Sequence, residues 1–363
     1  MKRIVICGGH HNSALVVAEA LREKGYQVFW LGHQYSMIGD KNPSAEYLEV
    51  TEKGFPFTEI KAGKFQPRYQ FFPYLLRIPL GFWQSLVSLI KIKPDLIFSF
   101  GGYLALPVAF SGWLLGIPVV THEQTSVSGL ANRLIAKIAK KVFLTYEASG
   151  KYFPREKVVI TGLPLREEIL KKGKKLFQNN KKTIYVTGGK QGAHTINEAV
   201  WAILPTLLEN FNVIHQVGST SLFNDIQKAE EIKKNLGERG ENYLPKEYFF
   251  DKEISTVLNR ADLVISRAGA HIVYELLALK KPAILIPIPW SSNQEQLKNA
   301  QMLAAAGLTK ILPQEDLEKS KLEEAVLGFA DNLERYRLKK EVRVSTKATE
   351  KIVDEISWLL CLK

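Results

Sequence analysis

Short, almost unbroken apolar runs alternate along this chain with stretches whose apolar residues recur at helical spacing. One series reads RIVIC, YQVFWLG, DLIFSF, IPVVTHE, KVFLTY and KVVITG; a second reads KTIYVTGG, NVIHQVG, DLVISRAG and PAILIPIP. Runs this apolar are expected of strands buried on both faces, and their alternation with helical segments predicts parallel sheets covered by helices. Two series predict an α/β protein of two doubly wound, Rossmann-like domains in tandem. The break falls in TGLPLREEILKKGKKLFQNNKK, a Gly/Pro turn followed by a lysine-rich polar stretch. We therefore expect a first domain over 1–163, a second over 164–340, and a helical segment over 341–363 that packs on one of them. The uncharged stretch Leu96 to Val120 is long enough to span a bilayer, but its glycines and prolines divide it into strand, turn, helix, turn and strand. It reads as a buried βαβ unit.

Three strand-to-helix junctions carry glycine-rich turns. In RIVICGGHHNSALVVAEAL, Gly8 to Asn12 connects the run ending at Cys7 to helical spacing from Ala14. Glycine lets the backbone approach a ligand, helix N–H groups favour negative charge, and His10 or His11 can exchange a proton near neutral pH. Taken alone, the stretch is equally a structural turn with solvated imidazoles. YVTGGKQGAHTINEAV repeats the geometry with Gly188, Gly189 and Gly192 before a helix near Ala193. The spacing is not GxGxxG, which disfavours a dinucleotide fold. In ISRAGAHIVYELLALKK, Arg267 and Gly269 precede a helix carrying Glu275 in its second turn, either a solvated glutamate or a buried one that meets sugar hydroxyls. Gln294, Gln296 and Asn299 gather at a later helix start, and His122, Glu123, Gln124 and Asn132 follow strands of the first half.

Charge refines the picture. The chain of 363 residues carries a net +12, and residues 1–165 hold 19 Lys and Arg against 11 Asp and Glu, or +8. A basic first half points to an anionic partner, and with no nucleic-acid signature we expect none of that class. The two cysteines, Cys7 and Cys361, lie at opposite ends with no metal-ligand spacing. FQPRYQFFPYLLRIPLGFWQSLVSLIKIK interleaves Phe71, Phe72, Tyr74, Leu75, Leu76, Phe82 and Trp83 with Arg68, Arg77, Lys91 and Lys93. That pattern suits insertion among anionic head groups, and it equally suits a core helix with an aromatic loop.

Taken in order, GGH, SFGGYLALPVAFSGWLLGIPVVTHEQ, GLANRLIAKIAKKV, TGLPLREEI, GGKQGAHTIN, SRAGAHIVYELLALKKPAILIP and NQEQLKNAQMLAAAG resemble the MurG family of glycosyltransferase family 28. The resemblance runs over nearly the whole chain. It implies a GT-B fold, two domains facing across a cleft, and an inverting transfer of N-acetylglucosamine from UDP-N-acetylglucosamine. The acceptor substrate would be the 4-hydroxyl of polyprenyl-diphosphate-linked muramoyl-pentapeptide, met at the cytoplasmic face of the cell membrane. No metal and no cofactor beyond the sugar nucleotide is implied. By motif, His10 is the base, with His11 as its neighbour and rival; Gly8, Gly9, Glu123, Gln124 and Asn132 hold the acceptor substrate. Arg166, the loop Gly188, Gly189, Lys190, Gln191, Gly192, and then Ala270, Glu275 and Gln296 hold the nucleotide, Glu275 on the ribose. The chain departs from the family in its first loop, which lacks two leading glycines, at Lys190 where serine is common, at Thr125 and at Glu295. Within the same fold, another lipid-acceptor transferase, a UDP-N-acetylglucosamine epimerase or a catalytically idle nucleotide-binding subunit remain alternatives.

Overall fold

The computed structural model describes residues 1–35, 43–63, 71–171, 173–220, 222–249, 251–291, 294–339 and 344–361, without the side chains of residues 45, 71–76, 167, 251, 252 and 319. Two compact units emerge, Met1–Leu165 together with Ser345–Lys363, and Arg166–Val344.

The first unit is built on β1 (Arg3–Cys7), β2 (Gln27–Gly32), β3 (Phe57–Glu59), β4 (Leu96–Ser99), β5 (Val119–Glu123), β6 (Lys141–Leu144) and β7 (Val158–Ile160). They form one sheet in the order β3-β2-β1-β4-β5-β6-β7, parallel throughout. Helices α1 (His11–Glu23), α2 (Ala45–Glu52), α3 (Phe71–Ile92), α4 (Ala105–Leu114) and α5 (Leu130–Ile138) connect the strands. The second unit repeats the plan with β8 (Lys182–Thr187), β9 (Phe211–Gln216), β10 (Tyr243–Lys246), β11 (Leu263–Ser266), β12 (Ala283–Leu285) and β13 (Thr309–Ile311), in the order β10-β9-β8-β11-β12-β13. Its helices are α6 (His194–Asn210), α7 (Asp225–Asn235), α8 (Asp251–Arg260), α9 (Ala270–Leu279), α10 (Glu295–Ala305) and α11 (Lys319–Ala330). In each sheet the winding reverses beside the first strand, between β1 and β4 and between β8 and β11. Loops at the carboxyl ends of those strands are where open α/β sheets bind ligands.

Central strands are legible because both faces are covered: β1 buries Ile4, Val5, Ile6 and Cys7 completely. Their two faces contribute to separate cores, Ile4 and Ile6 on the side of α1, Val5 and Cys7 on the side of α4. The edge strands β3, β10 and β13 escape the apolar-run reading, since three or four half-solvated residues make no such run. The stretch from Leu96 resolves into β4, α4 and β5, and among the described residues no helix is long and apolar enough to cross a membrane.

Three boundaries shift. Helix α1 starts at His11, so His11 and Asn12 belong to its first turn rather than to the connecting turn. The units divide between Leu165 and Arg166. The last helix, α12 (Ala348–Cys361), covers only part of the expected helical tail and belongs to the first unit, where Ile352, Val353, Ile356 and Leu360 join the core that includes Leu15 and Leu21 of α1. Four such side chains at about 1.5–3 kcal/mol each outweigh one exposed ion pair such as Lys141–Glu355, which contributes roughly 0–1 kcal/mol.

Candidate functional site

In the first unit the turn after β1 is welded to the turn after β4. Gly8 has φ +131°, and a Cβ there would press on backbone atoms of Phe100 and Gly101 at 2.8 Å. The Gly9 N–H donates to Gly101 O at 3.0 Å. Gly101, at φ +72°, leaves room for the Asn132 side chain, whose Nδ2 would otherwise sit 2.8 Å from a Cβ. Asn132 Nδ2 donates to His122 O and to Glu123 Oε2, both at 3.1 Å, and Thr121 Oγ1 donates to Asn132 Oδ1 at 2.8 Å. Glu123 Oε1 accepts from Thr125 N–H at 3.0 Å and from Thr125 Oγ1 at 2.8 Å. The structure thus gathers Gly8, Gly9, Glu123 and Asn132 into one network at the sheet's carboxyl edge, with Glu123 and Asn132 spent on holding loops. Gln124 is buried beside them with Nε2 unpartnered.

The two adjacent histidines part company. His10 is the exposed N-cap residue of α1, whereas His11 turns to α2, its Nε2 3.4 Å from Glu49 Oε2. His122, a candidate contact by sequence, lies inside β5 with its Nε2 3.1 Å from Gly162 O, and burial pushes its pKa down to about 4. It is a neutral core side chain.

The second unit presents two turns at its reversal point. Gly192, at φ +85°, lies so close to Val217 O and Gly218 that any side chain would collide with backbone. The loop is held from below: Thr187 Oγ1 accepts from Gly189 N–H, and Gln216 Nε2 donates to Thr187 Oγ1 and to Gly189 O, all at 3.0 Å. Lys190 Nζ stands 5.4 Å from the Tyr248 ring centroid, and its carbonyl accepts from Ser219 N–H at 3.0 Å. Gln191 shares this loop and is exposed.

Across the reversal, β11 leads through Arg267 and Ala268 to Gly269, the N-cap residue of α9, and Ala270. Gln296 Oε1 accepts from Ala268 N–H at 3.3 Å and Ile288 N–H at 3.1 Å, tying the turns after β11 and β12 together. Asn299 Nδ2 donates to Ala268 O at 3.1 Å. Both amides, expected by sequence to face hydroxyls and phosphates, therefore commit polar atoms to the turns, and Gln294 is an exposed left-handed N-cap. Glu295 opens α10, where a carboxylate favours the helix dipole. Arg166 starts the second unit beside the short helix Glu167–Leu170, which packs on α8 and α9.

Two residues outrank their sequence reading. Glu275 is buried, and His271 Nδ1 meets its Oε1 at 2.9 Å across one helical turn. Arg267 is buried, donating to Ile286 O at 3.1 Å and to Gln314 Oε1 at 2.7 Å, and burial pushes its pKa down to about 10. Both partners are uncharged oxygens. The i,i+4 spacing of His271 and Glu275 was the available signal for the first; nothing in the sequence placed neutral oxygens around the second. Among the described residues no group of three or more His, Cys, Asp or Glu side chains is placed to hold a metal ion.

Residues 7–144 match the glycosyltransferase family 28 N-terminal domain and residues 183–356 the C-terminal domain. A Bacillus cereus protein named UDP-N-acetylglucosamine--N-acetylmuramyl-(pentapeptide) pyrophosphoryl-undecaprenol N-acetylglucosamine transferase 2 is 32% identical, the match covering 98% of this chain and 99% of the relative. The chain belongs to glycosyltransferase family 28. A Lachnospira eligens relative bearing the transferase name is 33% identical over the same shares of both chains. The crystal structure of Acinetobacter baumannii MurG matches with a TM-score of 0.72 at 26% identity, covering 99% of this chain and 100% of that one. A UDP-GlcNAc 2-epimerase from Neisseria meningitidis matches at 14% identity and TM-score 0.65, a likeness of fold alone. The two units are the paired Rossmann-like domains of the GT-B class to which family 28 belongs.

Proposed function

We propose that this chain transfers N-acetylglucosamine from UDP-N-acetylglucosamine to the 4-hydroxyl of polyprenyl-diphosphate-linked N-acetylmuramoyl-pentapeptide, with inversion, in peptidoglycan synthesis. The observation that carries the reading is the likeness to transferases of that name across 98% of the chain, together with glycine turns at both sheet reversals. In this reading the second unit grips the donor. The loop Gly188–Gly192 and the start of α9 at Ala270 offer N–H groups to the diphosphate, Arg166 and Lys190 add positive charge, Glu275 takes the ribose and Gln296 contacts the nucleotide.

The acceptor oxygen attacks the anomeric carbon as its bond to the diphosphate breaks. The electron pair leaves on UDP, and the hydroxyl proton passes to His10. His11 is the weaker candidate because it is turned to Glu49. Gly8, Gly9, Gln124, Glu123 and Asn132 shape the pocket for the acceptor's diphosphate and sugar, the last two through the loops they hold. No metal is invoked; helix starts and cations meet the developing charge.

Lipid-linked acceptor substrate is reached at a membrane surface, and the first unit offers a face for it. Leu80, Trp83 and Ile90 of α3 are exposed, as are Trp113, Leu114 and Leu115 at the end of α4. The two helices touch where Ser111 Oγ donates to Phe82 O at 3.3 Å, and Lys91 and Lys93 are exposed nearby. Phe82 and Arg77 are half-buried; Arg68 and the side chains of Phe71, Phe72, Tyr74, Leu75 and Leu76 lie outside the described residues. Such a face suits peripheral attachment to anionic lipid at the cytoplasmic side.

The test is radiolabel transfer from UDP-N-acetylglucosamine to a short-chain analogue of the muramoyl lipid. Label in the lipid product, dependent on added analogue, is expected; donor consumption without it would point to hydrolysis or epimerisation and sink the reading. Flotation with anionic liposomes is expected at low salt and to weaken as salt screens the attraction. Absence of binding at low salt removes the membrane claim.

A further inference from the structure

His271 occupies the second position of α9, immediately after the Ala270 turn, and Glu275 follows one turn later on the same face. Side chains on a helix lean toward its N-terminus, so Glu275 leans back over the first turn. That turn has no acidic residue and no side-chain cap, and the first N–H groups of a helix have no partner within it. A carboxylate reaching them would compete directly with a diphosphate. Instead, Glu275 Oε1 meets His271 Nδ1 at 2.9 Å, and a buried neighbour, Tyr185 of β8, lies within electrostatic range of the same carboxylate. His271 Nε2 is buried and has no partner. An orphaned buried nitrogen is a polar group whose partner the fold itself does not supply.

We propose that His271 is a positioning residue for the donor nucleotide: through Nδ1 it fixes the Glu275 carboxylate for the ribose diol and keeps it off the helix start that receives the diphosphate. The inference rests on the function assigned above and deepens it, naming what sets the ribose contact. With Oε1 held by the imidazole, Oε2 is the oxygen offered to the diol.

The test uses the full-length chain and compares binding of UDP with 2′,3′-dideoxy-UDP by calorimetry. The parent is expected to prefer UDP by about tenfold or more, the effect of leaving a buried polar group unpaired. His271→Phe keeps a flat ring without donors and should cut that preference to about threefold or less, whereas His271→Asn, whose amide can donate to Glu275, should restore most of it. The donor KM is expected to rise about tenfold in His271→Phe while kcat changes less than about threefold, as fits lost ground-state positioning. Equal UDP preference in the Phe and Asn variants, both matching the parent, overturns the inference. Failure of the parent to bind UDP overturns the functional reading itself, so the two failures are distinguishable.

Discussion

Each unit buries one glutamate beside its glycine turn, and the two are used differently. Glu123 is closed by donors of the fold: Thr125 backbone and hydroxyl on one oxygen, the Asn132 amide on the other. Glu275 is held through Oε1 by an imidazole of its own helix. An acid saturated by neutral donors fixes loops, and an acid steered by one side chain can still meet a ligand. Under the proposed function, the acceptor side is then set by shape and by His10, and the donor side by polar groups aimed at the nucleotide.

The largest effect expected of this contrast concerns His10, the first unit's proposed chemical group. His10→Ala should lower kcat about a hundredfold or more, and turnover within a few-fold of the parent would remove it as the base. Next come the two acids themselves. Glu123→Ala leaves the Thr125 N–H and Asn132 amide without their acceptor and should destabilise the chain by about 2–4 kcal/mol in urea unfolding, with the donor KM little changed. Glu275→Ala should do the reverse, raising the donor KM about tenfold or more with a smaller loss of stability. If both variants shift the same quantity, the contrast fails.

The smallest effect is on pH dependence. Glu46 of α2 accepts from Trp30 Nε1 at 2.7 Å, and burial pushes its pKa up to about 7 from 4.5. The folded chain thus holds that proton more tightly than the unfolded one, so its contribution is complete below pH 4.5 and is lost as pH rises through 7. Glu46→Gln should be more stable than the parent at pH 8 by about 2 kcal/mol and nearly equal at about pH 4.5. The buried His122 and His215, pushed down to about 4 and about 3, work with opposite sign. Their stability is present above pH 6.5 and lost as pH falls toward those values. Thermal melts of parent and Glu46→Gln across about pH 4–8 separate the two slopes; parallel curves would exclude the Glu46 contribution.

Much of the molecule was legible in the chain itself. Continuous apolar runs marked the interior strands, and their alternation with helices marked parallel, doubly wound units, because a strand covered on both faces has no polar positions to spare. Glycine turns after Cys7 and Thr187 were equally readable, since only glycine tolerates the backbone approach seen at Gly8 and Gly192. Their order along the chain carried the family. Tertiary structure alone decided which polar residues are consumed. His11 is drawn to Glu49, His122 is sealed within β5, and Asn299 and the amide oxygen of Gln296 are spent on neighbouring turns. His271 is brought onto Glu275. Hydrophobic periodicity is a local property that burial imposes on every strand and helix. A hydrogen-bond partner is a property of two distant segments, fixed only when the sheets bring their edges together.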